Sequence, residues 1–147
     1  MPELPEVETV VRQVRPRLVG RCLGGADVSW PRTLGGLAPR AFDAALRGAR
    51  VARVWRRAKY VVCDLERDGA LAGWLVTHLR MSGRLSVEAP QAERSRWLRV
   101  RVALDDGREL HFADVRKFGR MLHTTDLPAL LGELGPEPLD EAFTAEL

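Results

Sequence analysis

Met1 is followed by a proline, and a small second residue permits removal of the initiator methionine. Pro2 would then carry a free secondary amine. An α-amino group has a reference pKa of about 8, against about 10.4 for lysine, so an appreciable fraction is neutral and nucleophilic near pH 7. Amines add to carbonyl-like carbons and form Schiff bases, which act as electron sinks for elimination. Glu3 stands beside that amine and Glu6 about one helical turn later. A carboxylate placed there can shuttle the protons that a covalent amine route requires. Proline and acids are also ordinary features of a helix start, so the residue types alone leave both readings open.

Cations dominate the rest of the chain up to its acidic end. The chain of 147 residues has 23 Lys+Arg against 20 Asp+Glu, and a pI near 9.4. Residues 1–60 hold 12 basic and 5 acidic side chains, residues 61–125 hold 11 and 9, and residues 126–147 hold six acids and no base. All but Lys59 and Lys117 of the basic residues are arginine, whose planar donor fork suits phosphate and base edges. A polyanionic partner is expected, although a coding bias toward arginine would give the same count. Cys22 and Cys63 are far apart and form no CxxC pair, which points to two reduced, partly buried thiols rather than a zinc or disulfide site. With 29% charged and 46% hydrophobic residues, the composition excludes a disordered or fibrous chain. No apolar run approaches the roughly 20 residues of a membrane helix. The start MPELPEVE is acidic and has no basic-then-apolar leader, so a cytoplasmic, nucleoid-associated protein without a membrane partner is expected.

These groups need a scaffold. Leu4, Val7, Val10, Val11 and Val14 recur at helical spacing and predict an amphipathic helix over 4–15, which Pro16 should stop. Residues 20–38 read as a strand plus loops. Pro39–Arg47 predicts a second short helix ended by Gly48. Strands are expected at 51–56, 60–65, 71–77, 108–113 and 118–123. The clearest strand is Leu98–Leu104, whose even positions are apolar and which carries Arg99 and Arg101 between them, with Asp105-Asp106-Gly107 as its turn. Residues 86–96 read as a mobile polar loop, Pro128–Leu134 as a last short helix, and 135–138 as a linker. The fold class is α+β, mainly β: an antiparallel β-sandwich flanked by an N-terminal helix and a second short helix. One domain over 1–134 is expected, with 135–147 leading out of it.

The opening Met1–Thr9, MPELPEVET, resembles the start of bacterial formamidopyrimidine-DNA glycosylases, which excise 8-oxoguanine and ring-opened purines. Three further blocks agree in order: Arg56-Arg57-Ala58-Lys59-Tyr60, His78-Leu79-Arg80-Met81-Ser82-Gly83 and Asp114-Val115-Arg116-Lys117-Phe118-Gly119. Leu134-Gly135-Pro136-Glu137-Pro138-Leu139 resembles the exit from that family's N-terminal domain. The related endonuclease VIII enzymes typically begin Pro-Glu-Gly-Pro, so Leu4 favours the formamidopyrimidine branch.

The resemblance implies base-excision repair by a bifunctional glycosylase and abasic-site lyase. Pro2 would attack the anomeric carbon and displace the damaged base, and the resulting imine would permit β- and δ-elimination. Glu3 maps to proton handling at the sugar, Glu6 to the lesion pocket, and Lys59 to a phosphate grip that assists elimination. Chemistry on a base requires its extrusion from the duplex, and Met81, Arg116 and Phe118 map to the side chains that fill the gap. Their types suit this: an adaptable thioether, a guanidinium for the orphaned cytosine, and an aromatic wedge. Lys117, where some members carry a second arginine, maps to a phosphate contact. His78 maps either to a phosphate contact or to a hydrogen-bonded structural histidine. Taken singly, Met81 and Phe118 also fit a core, and Lys59 and Arg116 a solvated surface. The loop settings favour protrusion.

Family members continue into a C-terminal region, with a helix–two-turns–helix element and a four-cysteine zinc finger, that has no counterpart in this sequence. The expectations are no metal or cofactor in this chain, weak or absent excision by this domain alone, a monomer, and damaged double-stranded DNA as partner. Two alternatives stay open: a glycosylase for oxidised pyrimidines of the endonuclease VIII type, and a non-catalytic DNA-binding module.

Overall fold

The computed structural model describes residues 4–133. Helix α1 spans Leu4–Leu18 and buries Val7, Val11, Val14 and Leu18 completely or nearly so. Each such aliphatic side chain contributes about 1.5–3 kcal/mol on leaving water. The helix does not stop at Pro16 as its sequence predicts. Pro16 forfeits one backbone hydrogen bond, but three features carry the last turn past it. Arg15 Nε donates to Val54 O at 2.8 Å, Val19 N donates to Arg15 O at 3.0 Å, and Leu18 is wholly buried.

Eight strands follow: β1 Leu23–Val28, β2 Arg50–Arg57, β3 Tyr60–Arg67, β4 Ala70–His78, β5 Gly83–Glu88, β6 Leu98–Leu104, β7 Glu109–Asp114 and β8 Arg120–Thr124. They form two four-stranded antiparallel sheets, ordered β1-β6-β7-β5 and β2-β3-β4-β8. This is the expected sandwich. A bridge between Cys22 and Arg50 ties the sheets at one corner. Helix α1 packs on β2 and β5, helix α2 (Pro39–Leu46) on β1, and a 3₁₀ turn at Pro31–Leu34 on β8. Phe42, Leu46 and Leu34 from these elements enter the core between the sheets. Both cysteines are free, and burial pushes the Cys63 thiol up to about 12, so it is an inert core group.

The β2-β3-β4 sheet is apolar on both sides. Val54, Val61 and Leu75 face the core, while Trp55, Tyr60, Val62 and Val76 face outward, where helix α3 (Leu127–Glu133) covers them with Leu127 and Leu131. That double burial explains why these segments read as continuous apolar runs rather than alternating ones.

Two further expectations need correction. Ser86–Glu88 are not loop: they belong to β5 and pair with Glu109–His111 of β7, which seats Val87 against the core. Arg99 is buried, although the alternation of a half-buried strand puts it on the solvent side with the partly exposed Arg101. The β6–β7 register shifts between Leu98 and Val100, so Arg99 turns inward and donates from Nε to Asp114 O at 2.8 Å. The expected domain boundary after residue 134 lies outside the described residues.

Candidate nucleic-acid interface

Strand register collects the singled-out residues. Tyr60 pairs with His78, His78 with Arg120, and Gly83 with Asp114. Three turns, at 58–59, 79–82 and 115–119, therefore open at the same end of the sandwich. Helix α1 begins there too, because Arg56 Nε binds the Glu8 carboxylate at 2.8 Å. Pro2 and Glu3 lie outside the described residues.

Each turn carries a non-glycine residue in the left-handed region: Ala58 at φ 51°, Arg80 at 55° and Lys117 at 62°. Such backbone costs of order 1 kcal/mol or more per residue and persists where its surroundings demand it. Here it aims the neighbours, Lys59, Met81 and Phe118. Lys59 is half-buried. Met81 and Phe118 are 50% and 52% exposed, which sets aside the core reading for both. The Arg116 Nη1 approaches the Met81 sulfur at 4.0 Å, so the two turns touch. The Lys117 ammonium lies 4.1 Å from the centre of the Trp30 ring, a cation–π contact across the sandwich edge.

His78 is buried, and its ring meets Tyr60 edge-on at 4.6 Å. Burial, then the charges of Arg80 and Lys59, hold it down at about 4, so it is neutral near pH 7. Arg80 N donates to its Nδ1 at 3.0 Å, which leaves the ring proton on Nε2. The structural role expected of this histidine is thus present, and the ring keeps one neutral donor.

An open groove of about 970 Å³ runs from α1 across β5 and β7. Glu6 and Met81 line it together, with Trp97, His111, Ser82 and Asp114. Met81, Trp97, Val115 and Phe118 are four of the exposed large apolar residues, and the turns at 79–82 and 115–119 also carry exposed Arg80, Arg116 and Lys117. Exposed apolar side chains interspersed with cations suit a nucleic acid, whose backbone meets the charges and whose bases meet the apolar groups.

Sequence reasoning did not single out Asp114, Ser82, Trp30 or Trp97. Asp114 opens the Asp114–Gly119 block, and an acid between a strand and a turn bearing Arg116 and Lys117 was the available signal. Trp30 reaches Lys117 from 87 positions away in the chain, where no local spacing could reveal it.

Residues 1–121 match the formamidopyrimidine-DNA glycosylase N-terminal domain. The chain belongs to this family. It is 47% identical to the formamidopyrimidine-DNA glycosylase of Chloroflexus aggregans over 148 residues, covering 98% of this chain and 52% of that protein. The Protochlamydia amoebophila relative is 38% identical over 148 residues, covering 100% and 52%. Among solved structures, MutM in complex with carbocyclic 8-oxo-G containing DNA superposes with a TM-score of 0.78 at 31% identity, covering 90% of this chain and 48% of that one. Lactococcus lactis Fpg with a FAPY-dG containing DNA gives 0.77 at 30% identity, covering 90% and 48%. The chain spans about half the length of the curated relatives it matches. Membership of the formamidopyrimidine-DNA glycosylase family agrees with the fold and with the four ordered sequence blocks.

Proposed function

We propose that this chain is the catalytic half of a DNA glycosylase and abasic-site lyase that removes oxidised purines, 8-oxoguanine and formamidopyrimidines, from duplex DNA. The observation that carries this reading is the contact of Arg116 with Met81, beside a half-exposed Phe118, at the end of the sandwich where α1 begins. In this reading the three side chains occupy the gap left by an extruded nucleotide. Met81 and Phe118 replace stacking, and Arg116 offers donors to the orphaned base.

Lys59 and Lys117 hold phosphates on either side, and the neutral Nε2–H of His78 adds an uncharged donor. The Pro2 nitrogen forms a bond to C1′ as the glycosidic bond breaks, the base departs with the amine proton, and the C1′–O4′ bond then opens onto a protonated O4′ to leave the iminium. Glu3 serves proton transfer at the ring oxygen and C2′, and Glu6 borders the lesion pocket. Loss of the C2′ proton expels the 3′ phosphate, and a second elimination expels the 5′ phosphate. The domain spans 1–134 in this reading, with 135–147 leading to the remainder of the clamp, and this half alone excises weakly.

Borohydride trapping on abasic duplex DNA tests the chemistry. Methionine-free protein should form a covalent adduct that Pro2→Gly abolishes. A trapped adduct that survives Pro2→Gly would move the nucleophile elsewhere. No adduct with protein shown by mass spectrometry to start at Pro2 would leave only DNA binding. A panel of duplexes with oxidised purines and oxidised pyrimidines then reads the substrate class, and purines should be favoured.

A further inference from the structure

We propose that Asp114 is a positioning residue that locks the Met81 turn and the Arg116–Phe118 turn into one rigid wedge. This rests on the DNA-repair reading above. Asp114 ends β7 opposite Gly83 and is 1% exposed. Ser82, the residue after Met81, donates its hydroxyl to Asp114 Oδ1. From the other turn, Arg116 N reaches the same Oδ1 at 3.2 Å and the Ser82 Oγ at 3.2 Å. Gly119 N, just past Phe118, donates to Oδ2 at 2.6 Å. Both carboxylate oxygens are therefore used, and their donors bracket Arg116–Phe118 in one turn and directly follow Met81 in the other.

The backbone of Asp114 is anchored as firmly. Its N–H donates to Trp97 O at 2.9 Å, and its carbonyl accepts from the buried Arg99 at 2.8 Å. The two glycines facing this clasp have no room for a side chain. A Cβ on Gly83 would sit 2.5 Å from Leu79 O, and one on Gly119 2.9 Å from Asp114 Oδ2. Lys117, between the clasped positions, is held in the left-handed region. The clasp therefore leaves the tips of the turns exposed while their roots are fixed. A wedge that must enter a base stack binds better when its roots are already fixed in the free protein, because ordering them on contact would consume binding free energy.

Asp114→Asn keeps the size of the side chain but turns one acceptor into a donor that faces Gly119 N–H or the Ser82–Arg116 pair. A misplacement of about 1 Å costs on the order of a hundred-fold in a positioned reaction. Asp114→Asn, in the protein as the cell makes it, should therefore lose between about ten- and a hundred-fold in single-turnover excision of 8-oxoguanine from duplex DNA. Cleavage of an abasic site in single-stranded DNA should be unchanged, since that substrate has no opposite strand and no gap to fill. Ser82→Ala, which removes one link only, should show the same selective loss in smaller degree, and it stands in should Asp114→Asn not fold.

Equal losses on the two substrates, or no loss on either, would overturn the proposal. Wild-type protein inactive on both would instead defeat the DNA-repair reading. The clasp is then read from amide exchange, where Arg116 and Gly119 should be protected in the wild type and exchange faster in either variant. Unaltered protection overturns it.

Discussion

His78 should make the protein sensitive to mild acid, well above the range in which carboxylates are lost. In the unfolded chain its imidazole titrates near 6.5, while in the folded chain burial, with the charges of Arg80 and Lys59, holds it at about 4. Above pH 6.5 both states carry a neutral ring, and the stabilising contribution is complete. As pH falls below 6.5, the unfolded chain binds the proton and the folded chain does not, so stability declines. The steepest loss is about 1.4 kcal/mol per pH unit, and the whole window from 6.5 to 4 is worth about 3 kcal/mol. Against a total stability of about 5–15 kcal/mol, that is a large share. His123, also held low chiefly by burial, adds in the same direction. Asp43 and Glu109, both held below their ordinary values, add their loss only at lower pH.

Urea unfolding at pH 7.5, 6.5, 5.5 and 4.5 measures the slope for the wild type and for His78→Asn, whose Oδ1 can still accept from Arg80 N. The variant should start less stable at pH 7.5 and approach the wild type as pH falls. Parallel curves would refute the assignment of a depressed histidine at this position.

Two further outcomes concern the same turns. Gly119→Ala places a Cβ 2.5 Å from Phe112 Cζ and should cost about 1–3 kcal/mol, read as a fall of several degrees in Tm, and an unchanged Tm would mean that β7 and β8 are not packed as described. Trp30→Leu removes the ring beneath Lys117, a contact worth about 0.5–1 kcal/mol at an exposed site, and should weaken binding to abasic duplex DNA several-fold in fluorescence anisotropy, with recovery in Trp30→Phe.

Much of the scaffold was legible because its physics is local. Leu98–Leu104 alternates over its whole length and is a strand with those bounds. The valine spacing of α1 marks its buried face, and Pro39 and Gly48 bracket α2. What failed did so where distant contacts override local preference. Pro16 is carried inside α1 by the Arg15–Val54 bond and the seat of Leu18, neither visible within the helix's own residues. Ser86–Glu88 look polar, yet β7 supplies a ladder that the segment joins. Arg99 lies on the solvent side of a perfect alternation and is turned inward by one bulge. For the site, the blocks around Lys59, Met81 and Phe118 fall on three turns at one end of the sandwich, and the protrusion of Met81 and Phe118 that their loop settings favoured is seen in their exposure. The groups that brace those turns, Asp114 with Ser82 and Trp30 with Lys117, act across 32 and 87 positions, which no pattern along the chain encodes.

The seal that Leu127 and Leu131 place over Trp55, Val62 and Val76 bears on where this polypeptide can be cut. A fragment ending after Thr124 would retain every strand yet leave that aromatic and aliphatic surface wet. With about 1.5–3 kcal/mol at stake for each large side chain, such a fragment would stand close to its melting threshold and would self-associate through the bared patch. Expression designs for this half should therefore extend at least through Leu131, ten residues beyond the stretch that defines the family resemblance.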